Sequence, residues 1–422
     1  MRAGKLPTAL ACAALLAAAA GLSAGQVEVN STEALKRALR QAAPGTRIVL
    51  AGGTYKGGLW AEKVNGTPGA PVVIAAKDPA RPPIFRGGRM GFEMARCSYV
   101  VLDGLVAERA ELNNIQFWNS HHVVLKNCRS RNVAGGGNCD GIKLTAVADF
   151  LLHGCTVEKW GAEGSAVDMV ACARGLIMKC RFSYPDLKGQ TANCIQPKCG
   201  AFDIGIYKCR FEDASLRAVQ FGGGIGPGRV NRYDYFGKLK QTGYSGVDMA
   251  AMGNVIASGG AAVAYVSCAN CTFQYNTIVN PAKYVIRILF EGGAEPTARN
   301  SFARNLIVHG KLEGVINAGS KTRPESFTFA ENYWFSRLRP ESSIPALPAK
   351  ETRPAGGKDP RLGEDFRPAP DGPAAAYGAH AAGLEKAWSE HARRFKWAWQ
   401  QAKRLQAESP AKPPEPSTAP RR

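Results

Sequence analysis

Four cysteines constrain what this chain can fold into more tightly than any composition figure. Cys128, Cys155, Cys180 and Cys209 are separated by 27, 25 and 29 residues. Around each lies the same phrase: a short strand with a polar residue, a turn of small residues, an apolar strand, the cysteine, and a further short strand. A repeat of that length built from strand patterns describes stacked coils, a parallel β-solenoid. The phrase is plainest over residues 138–223. The same inward corner then passes from Cys to Asn, at Asn254, Asn276, Asn305 and Asn332, which brings the count to at least nine coils. Stacked Asn amides bond the turn backbone and one another, and a Cys fills a similar volume without that demand.

In VVLDGL, VVLKNC, FLLHGC, GLIMKC and DIGIYKC the alternating apolar residues face a core shared by successive coils. Residues 26–380 are therefore expected to form one β-helix domain. Asn30-Ser31-Thr32-Glu33 reads as a capping box, and Leu35, Ala38, Leu39 and Ala42 predict a helix over the open end of the first coil. Between Cys209 and Asn254 the interval stretches to 45 residues. Residues 222–246 are thus an inserted loop, and long loops in a compact repeat are usually functional or disordered. Residues 381–407, with Trp388, Phe395, Trp397 and Trp399, predict a helix that caps the last coil. The Pro-rich segment 408–422 reads as a disordered tail.

Residues 1–25 combine Arg2 and Lys5, an apolar run, and a small-residue end at Ser23-Ala24-Gly25. This is the pattern of a secretory leader, and no later segment is long enough to span a bilayer. A secreted or periplasmic monomer is expected. The formal net charge of +20 is spread along the chain. For an exported protein that balance favours an acidic polysaccharide or envelope polymer, with no nucleic acid expected. Removing the leader leaves 11 of the 12 cysteines. Local pairing of Cys268 with Cys271, or Cys194 with Cys199, stays open in an oxidising compartment, whereas the register-matched four read as a buried thiol ladder.

Strand alternation places Lys143, Asp168, Gln196, Lys198, Gln220 and Arg287 on the outer face of one sheet. It puts Arg217 on the inner side, so that Arg217 acts only from the start of its strand. Stacked alternating charges also suit a plain solvated sheet. The inserted loop adds Arg229, Arg232, Tyr233 and Tyr235, residue types that grip sugars and their anionic groups.

DGIKLT, the following Gly154-Cys155, GSAVDMV and QPKCG together resemble the core of the family 9 pectate lyases. The wider stretch, through RAVQFGGG and YVIRILFE, resembles exported right-handed β-helix proteins more generally. The resemblance implies an all-β, right-handed parallel β-helix that cleaves acidic polysaccharide by β-elimination, with aspartates holding Ca²⁺ and a lysine as base. It implies Asp140 and Asp168 as calcium ligands and Lys198 as the base. The family's adjacent aspartates fall on Gly164 and Ser165, which leaves Glu163 as the nearby substitute. Such an enzyme must neutralise the uronate carboxylate, accept the proton beside it and stabilise the enolate-like intermediate. Arg217 and Arg287 are the candidates for neutralisation, and Lys143, Gln196 and Gln220 for substrate contacts. A lysine base must also be neutral, so its reference pKa of about 10.4 has to fall.

Two other functions stay open. One is a non-catalytic β-helix that binds glycan or envelope polymer through the same face. The other is a glycoside hydrolase with Asp140 and Asp168 as acid and base, which gives Lys198 no role. The chain carries no phosphate-binding Gly loop, His metal motif or nucleophile elbow.

Overall fold

The computed structural model describes residues 25–184, 193–213, 216–224, 234–292 and 294–408. All but the last residue of the leader, all but the first residue of the Pro-rich tail, and Arg229, Arg232 and Tyr233 of the inserted loop lie outside the described residues.

The architecture is a right-handed parallel β-helix, the hand that parallel crossovers take. Each regular coil gives one strand to each of three sheets, and neighbouring strands pair in parallel. The long-strand sheet has 14 strands, the short-strand sheet 12 and the third, which carries the candidate residues, 10. In one coil the order is His121–Lys126, Arg129–Arg131, then Ile142–Thr145. Between the long and short strands the chain turns on one left-handed residue per coil, among them Asn127, Gly154, Lys179, Lys208 and Gly253. Gly and Asn take this conformation cheaply, whereas at Lys179 and Lys208 the stacking of the coil imposes it.

The next residue is the ladder position, and the ladder holds the coils in register. Cys155 Sγ lies 3.4 Å from Leu125 O, and Cys180 Sγ lies 3.6 Å from Leu152 O. From Asn254 onward the bonds become strong and directional. Asn254 Nδ2 donates to Asn276 Oδ1 (2.9 Å), Asn276 to Asn305 (3.1 Å) and Asn305 to Asn332 (2.9 Å). Each of these carbonyl oxygens also accepts the preceding Asn backbone N–H. Glu351 Oε1 ends the chain by accepting Asn332 Nδ2 at 2.7 Å. The cysteines of the described residues are all buried and free, including Cys194, Cys199, Cys268 and Cys271.

Ser31 caps the N-terminal helix Thr32–Gln41 by accepting Ala34 N at 3.2 Å, and Leu35, Ala38 and Leu39 are buried against the first coils. The C-terminal segment behaves differently from the sequence expectation. Helices Leu384–His391 and Lys396–Glu408, joined by a short 3₁₀ turn, do not cap the last coil. They run back along the outside of the long-strand sheet, where Leu384, Trp388, Phe395, Ala398 and Ala402 cluster with Val124, Leu151, Leu176, Tyr207 and Met252. Trp388 stacks on Tyr207 with ring centres 4.0 Å apart. The reason is in the strands: FLLH and GLIM are apolar on both faces, so the outer face also needs cover.

The Asn ladder makes a testable distinction. Asn276 is fully buried, and its loss leaves the Asn254 backbone N–H and one of the two Asn254 amide N–H groups without acceptors, the other keeping Ile206 O. Asn276→Ala should therefore lower unfolding free energy by about 2–4 kcal/mol in chemical denaturation, at about 1–3 kcal/mol per unsatisfied donor. Cys180→Ala, which loses only a weak thiol contact and a small volume, should cost less than half as much.

Candidate functional site

The third sheet presents two outward columns. Register places Trp60, Glu93, Gln116, Lys143, Asp168 and Gln196 in one, continued by Gln220, Ala264, Arg287 and Asn317. Trp118, Thr145, Val170 and Lys198 form the other, two residues further along the strands. Gln196, rather than Lys198, is thus the strand partner of Asp168. Lys198 is in the adjacent column, and its long side chain brings Nζ back to 3.1 Å from Asp168 Oδ1, in ion-pair range but off the hydrogen-bonding direction.

The centre of the face is Lys143. Its ammonium bridges Asp140 Oδ2 at 3.1 Å and Asp168 Oδ2. Both carboxylates are almost completely buried. Asp140 Oδ1 accepts Ser165 N at 2.7 Å, and the Asp140 backbone N–H donates to Asn113 Oδ1 at 2.8 Å. Burial pushes the Asp140 carboxyl above its usual range, and Lys143 offsets this only in part. Burial opposes ionisation of Asp168 as well, yet Lys143 and Lys198 together outweigh it and hold that carboxyl low. The Lys143 ammonium, disfavoured by burial, is held charged by Asp168 and Asp140.

This donor set does not fit an oxygen-ligated calcium ion. An ammonium already stands where the two Asp carboxylates converge, and Glu163 is exposed. Neither neighbouring position supplies a carboxylate. A Cβ at Gly164 would come within 2.0 Å of Cys139 O, and Ser165 turns its hydroxyl to Gln196 Oε1 at 3.3 Å. Among the described residues no group of three or more His, Cys, Asp or Glu side chains converges.

A second cluster lies beyond Gln196. Arg217 opens its strand opposite Asn193, but its guanidinium comes forward to Gln220 Oε1 and to Glu291 Oε1, the latter at 3.0 Å. Arg287 donates to Asn317 Oδ1 at 3.1 Å and sits over the Tyr284 ring. Burial, and then the charge of Arg217, make Arg287 harder to protonate than usual. The four rungs from Asp168 to Arg287 span about 19 Å at the strand spacing. The structure therefore brings Asp140, Lys143, Asp168, Gln196 and Lys198 together, and groups Arg217, Gln220 and Arg287 separately along the same face. Glu291, Gln116 and Asn113 were missed from the sequence. Gln116 was findable, because Ile115 and Phe117 face inward and leave Gln116 and Trp118 outward.

The scaffold recurs among solved structures. A family 6 polysaccharide lyase, Pedsa3628 from Pseudopedobacter saltans, superposes with a TM-score of 0.52 at 14% identity, over 85% of this chain and 100% of that one. The fold is a pectate-lyase-like parallel β-helix. A hyperthermoactive exopolygalacturonase from Thermotoga maritima superposes with a TM-score of 0.51 at 14% identity, over 72% of this chain and 86% of that one. No protein-family model and no curated protein matches the chain. A lyase and a hydrolase share this scaffold, so the likeness shows the fold and the chemistry must come from the site.

Lys143→Met should expose the cost of the buried carboxylates. It removes their shared counter-charge, so the folded-state pKa of Asp140, already raised by burial, rises further, and that of Asp168, left with Lys198 alone, rises from its lowered position. Relative to the parent, stability is then lost as pH rises through those values. The variant should be about 3–5 kcal/mol less stable than the parent at pH 8, with the gap narrowing towards pH 4, as read by denaturant melts. For the unaltered protein, millimolar Ca²⁺ or a chelator should leave the melting temperature unchanged.

Proposed function

We propose that this protein is an exported polysaccharide lyase that cleaves an acidic, uronate-containing polymer by β-elimination, without a resident metal ion. The reading is carried by the accessibility of the charged groups. Lys143 and Lys198 are 19% and 15% exposed, whereas Asp140 and Asp168 behind them are 2% and 1% exposed, and Lys198 is the one of the two lysines paired with a single carboxylate. A hydrolase needs two carboxyl groups that flank the scissile bond. Here both candidates are buried, and the Lys143 ammonium fills the space between them.

In this mechanism Lys198 is the base that takes the proton from the carbon that bears the uronate carboxylate. The C–H electron pair forms the new carbon–carbon double bond and the adjacent glycosidic C–O bond breaks. The departing oxygen receives the proton that Lys198 took up. Negative charge developing on the carboxylate is met by Gln196 and by Arg217, whose guanidinium is held by Gln220 and Glu291. Gln220 itself is fully buried, with its amide donating to Gly222 O, so it positions Arg217 and does not touch the sugar. Preorganised donors of this kind are the main source of rate where charge develops. Arg287, further along the row, is suited to the carboxylate of a later sugar. The basic surface, at a formal +20, draws a polyanion towards this face. Export rests on the leader pattern of residues 1–25, and no described helix is long and apolar enough to cross a membrane.

Incubation with a panel of uronate polysaccharides, followed by ultraviolet absorbance of unsaturated ends, tests the reaction. Product should form with at least one polymer, persist in chelator, and fall about 10²-fold or more in Lys198→Ala, the lower range for loss of a general base. Binding without unsaturated product on every polymer would leave a glycan-binding protein instead.

A further inference from the structure

Exposed aromatics are unevenly distributed on this molecule. Seven large hydrophobic residues are exposed among those described; two of them, Tyr235 and Phe236, line a groove with Asn119, the residue that follows a third, Trp118. Trp118 ends the strand Ile115–Trp118 of the third sheet and is 40% exposed. It stands in the same outward column as Lys198, separated by Thr145 and Val170. Three rungs place the two about 14 Å apart along the axis.

Next to Trp118 the chain turns the corner through Asn119, and a groove of about 410 Å³ opens there. Asn119, His121, Ala146, Arg174, Tyr235 and Phe236 line it. Three features hold the loop residues in place. Asp234 caps the short helix Lys238–Thr242 by accepting Leu239 N and Lys240 N at 3.0 and 2.8 Å. Phe236 packs edge-on against Phe202. Lys238 sits over the same Phe202 ring. Arg174 is held by a bidentate pair with Asp149 at 2.9 and 2.7 Å, so its charge is balanced locally.

We infer that Trp118, Tyr235 and Phe236 form a distal sugar subsite that takes the ring of a linear uronate chain three units from the bond broken at Lys198. The inference deepens the lyase reading and rests on it for the position of the cleaved bond. A sugar ring presents apolar C–H faces that stack on aromatic side chains, and its polar edge suits Asn119 and His121. A pyranose chain laid along the axis advances roughly one sugar for each strand spacing. The anionic polymer is favoured over a protein partner by Lys198 further along the same column and by the chain's formal charge of +20.

The test is the dependence of cleavage on chain length. Oligogalacturonates and oligomannuronates of three and of six or more sugars serve as probes, with Trp118→Ala and Trp118→Phe as variants. For the longer oligomers Trp118→Ala should lower kcat/KM about tenfold, chiefly through KM, and Trp118→Phe should restore most of it. Trimers, too short to reach from Lys198 to Trp118, should not distinguish the variants. An equal effect on trimers and hexamers, or none on either, overturns the subsite while leaving the lyase reading intact. A second measurement removes the dependence on turnover. In a Lys198→Ala background, calorimetric binding of the hexamers should weaken about tenfold when Trp118→Ala is added. If no oligouronate is ever cleaved but that loss persists, the subsite stands and the lyase reading falls. Equal binding of a neutral hexasaccharide overturns the assignment to uronates.

Discussion

Parallel in-register stacking is the constraint on which everything else in this molecule depends. Each strand lies about 4.8 Å above the last, so a residue at one register position has the same position of the next coil as its nearest neighbour. Chemistry is therefore written in columns. The corner column is Cys128, Cys155, Cys180 and Cys209 and then Asn254 to Asn332, and its hydrogen bonds tighten where amides replace thiols. The column cannot simply stop, because the last amide would face the end of the stack unpaired. Glu351 supplies the terminal acceptor and takes the Trp334 indole N–H as well.

The same rule sets the electrostatics of the functional face. Like charges stacked at the strand spacing repel, so a column with catalytic charge must alternate sign or interpose amides. The row Glu93, Gln116, Lys143, Asp168, Gln196, Gln220 does both. Gln116 Nε2 donates to Glu93 Oε1 at 2.6 Å, Asn113 Nδ2 donates to Gln116 Oε1 at 2.7 Å, and Lys143 bridges to Asp168. Asp140 enters from just before the strand, where Asn113 and Ser165 fix its orientation. Two buried carboxylates are thus held by two lysines that both reach the outer face, Lys143 bridging the pair and Lys198 meeting Asp168 alone. A metal in that place would be exchangeable and sensitive to supply, whereas a tethered ammonium is neither.

The sequence made the solenoid, the ladder and the outward residues legible because each depends on period alone. Alternation around Ile142 and Leu144 places Lys143 outward, and the structure agrees. It did not reveal which ammonium would meet which carboxylate, because that depends on side-chain reach. Lys198 sits one column away from Asp168 yet touches it. Parity put Arg217 on the inner side, but a residue at the first position of a strand is free to bend forward, and it does so to Gln220. The C-terminal helix was legible as a helix and its seat was not. The signal was the lack of alternation in FLLH, GLIM and DIGIY, where Leu151, Leu176 and Gly205 face outward. A Cβ at Gly205 would come within 2.5 Å of Phe395 and 2.7 Å of Trp388, so its bareness makes room for those rings.

That seat bears on the site. The helical segment covers the long-strand sheet over strands His121–Lys126 to Ala250–Met252, and the coils beneath it carry Lys143, Asp168, Lys198 and Arg217 on their third sheet. In those coils one outer face is closed by packed aromatics, and the short-strand sheet carries paired charges such as Glu108 with Arg86 and Arg131. On the proposed lyase reading, the third sheet is the face that receives the polymer. A solenoid is nearly one-dimensional, with each coil held mainly by its two neighbours, so local opening is its weak mode. A strap that crosses five coils couples them, and opening any one then requires lifting a buried stack of Trp388, Phe395 and Tyr207. The coils best restrained against opening are therefore the ones that carry Lys143, Asp168, Lys198 and Arg217, the side chains whose fixed geometry the proposed lyase reading requires.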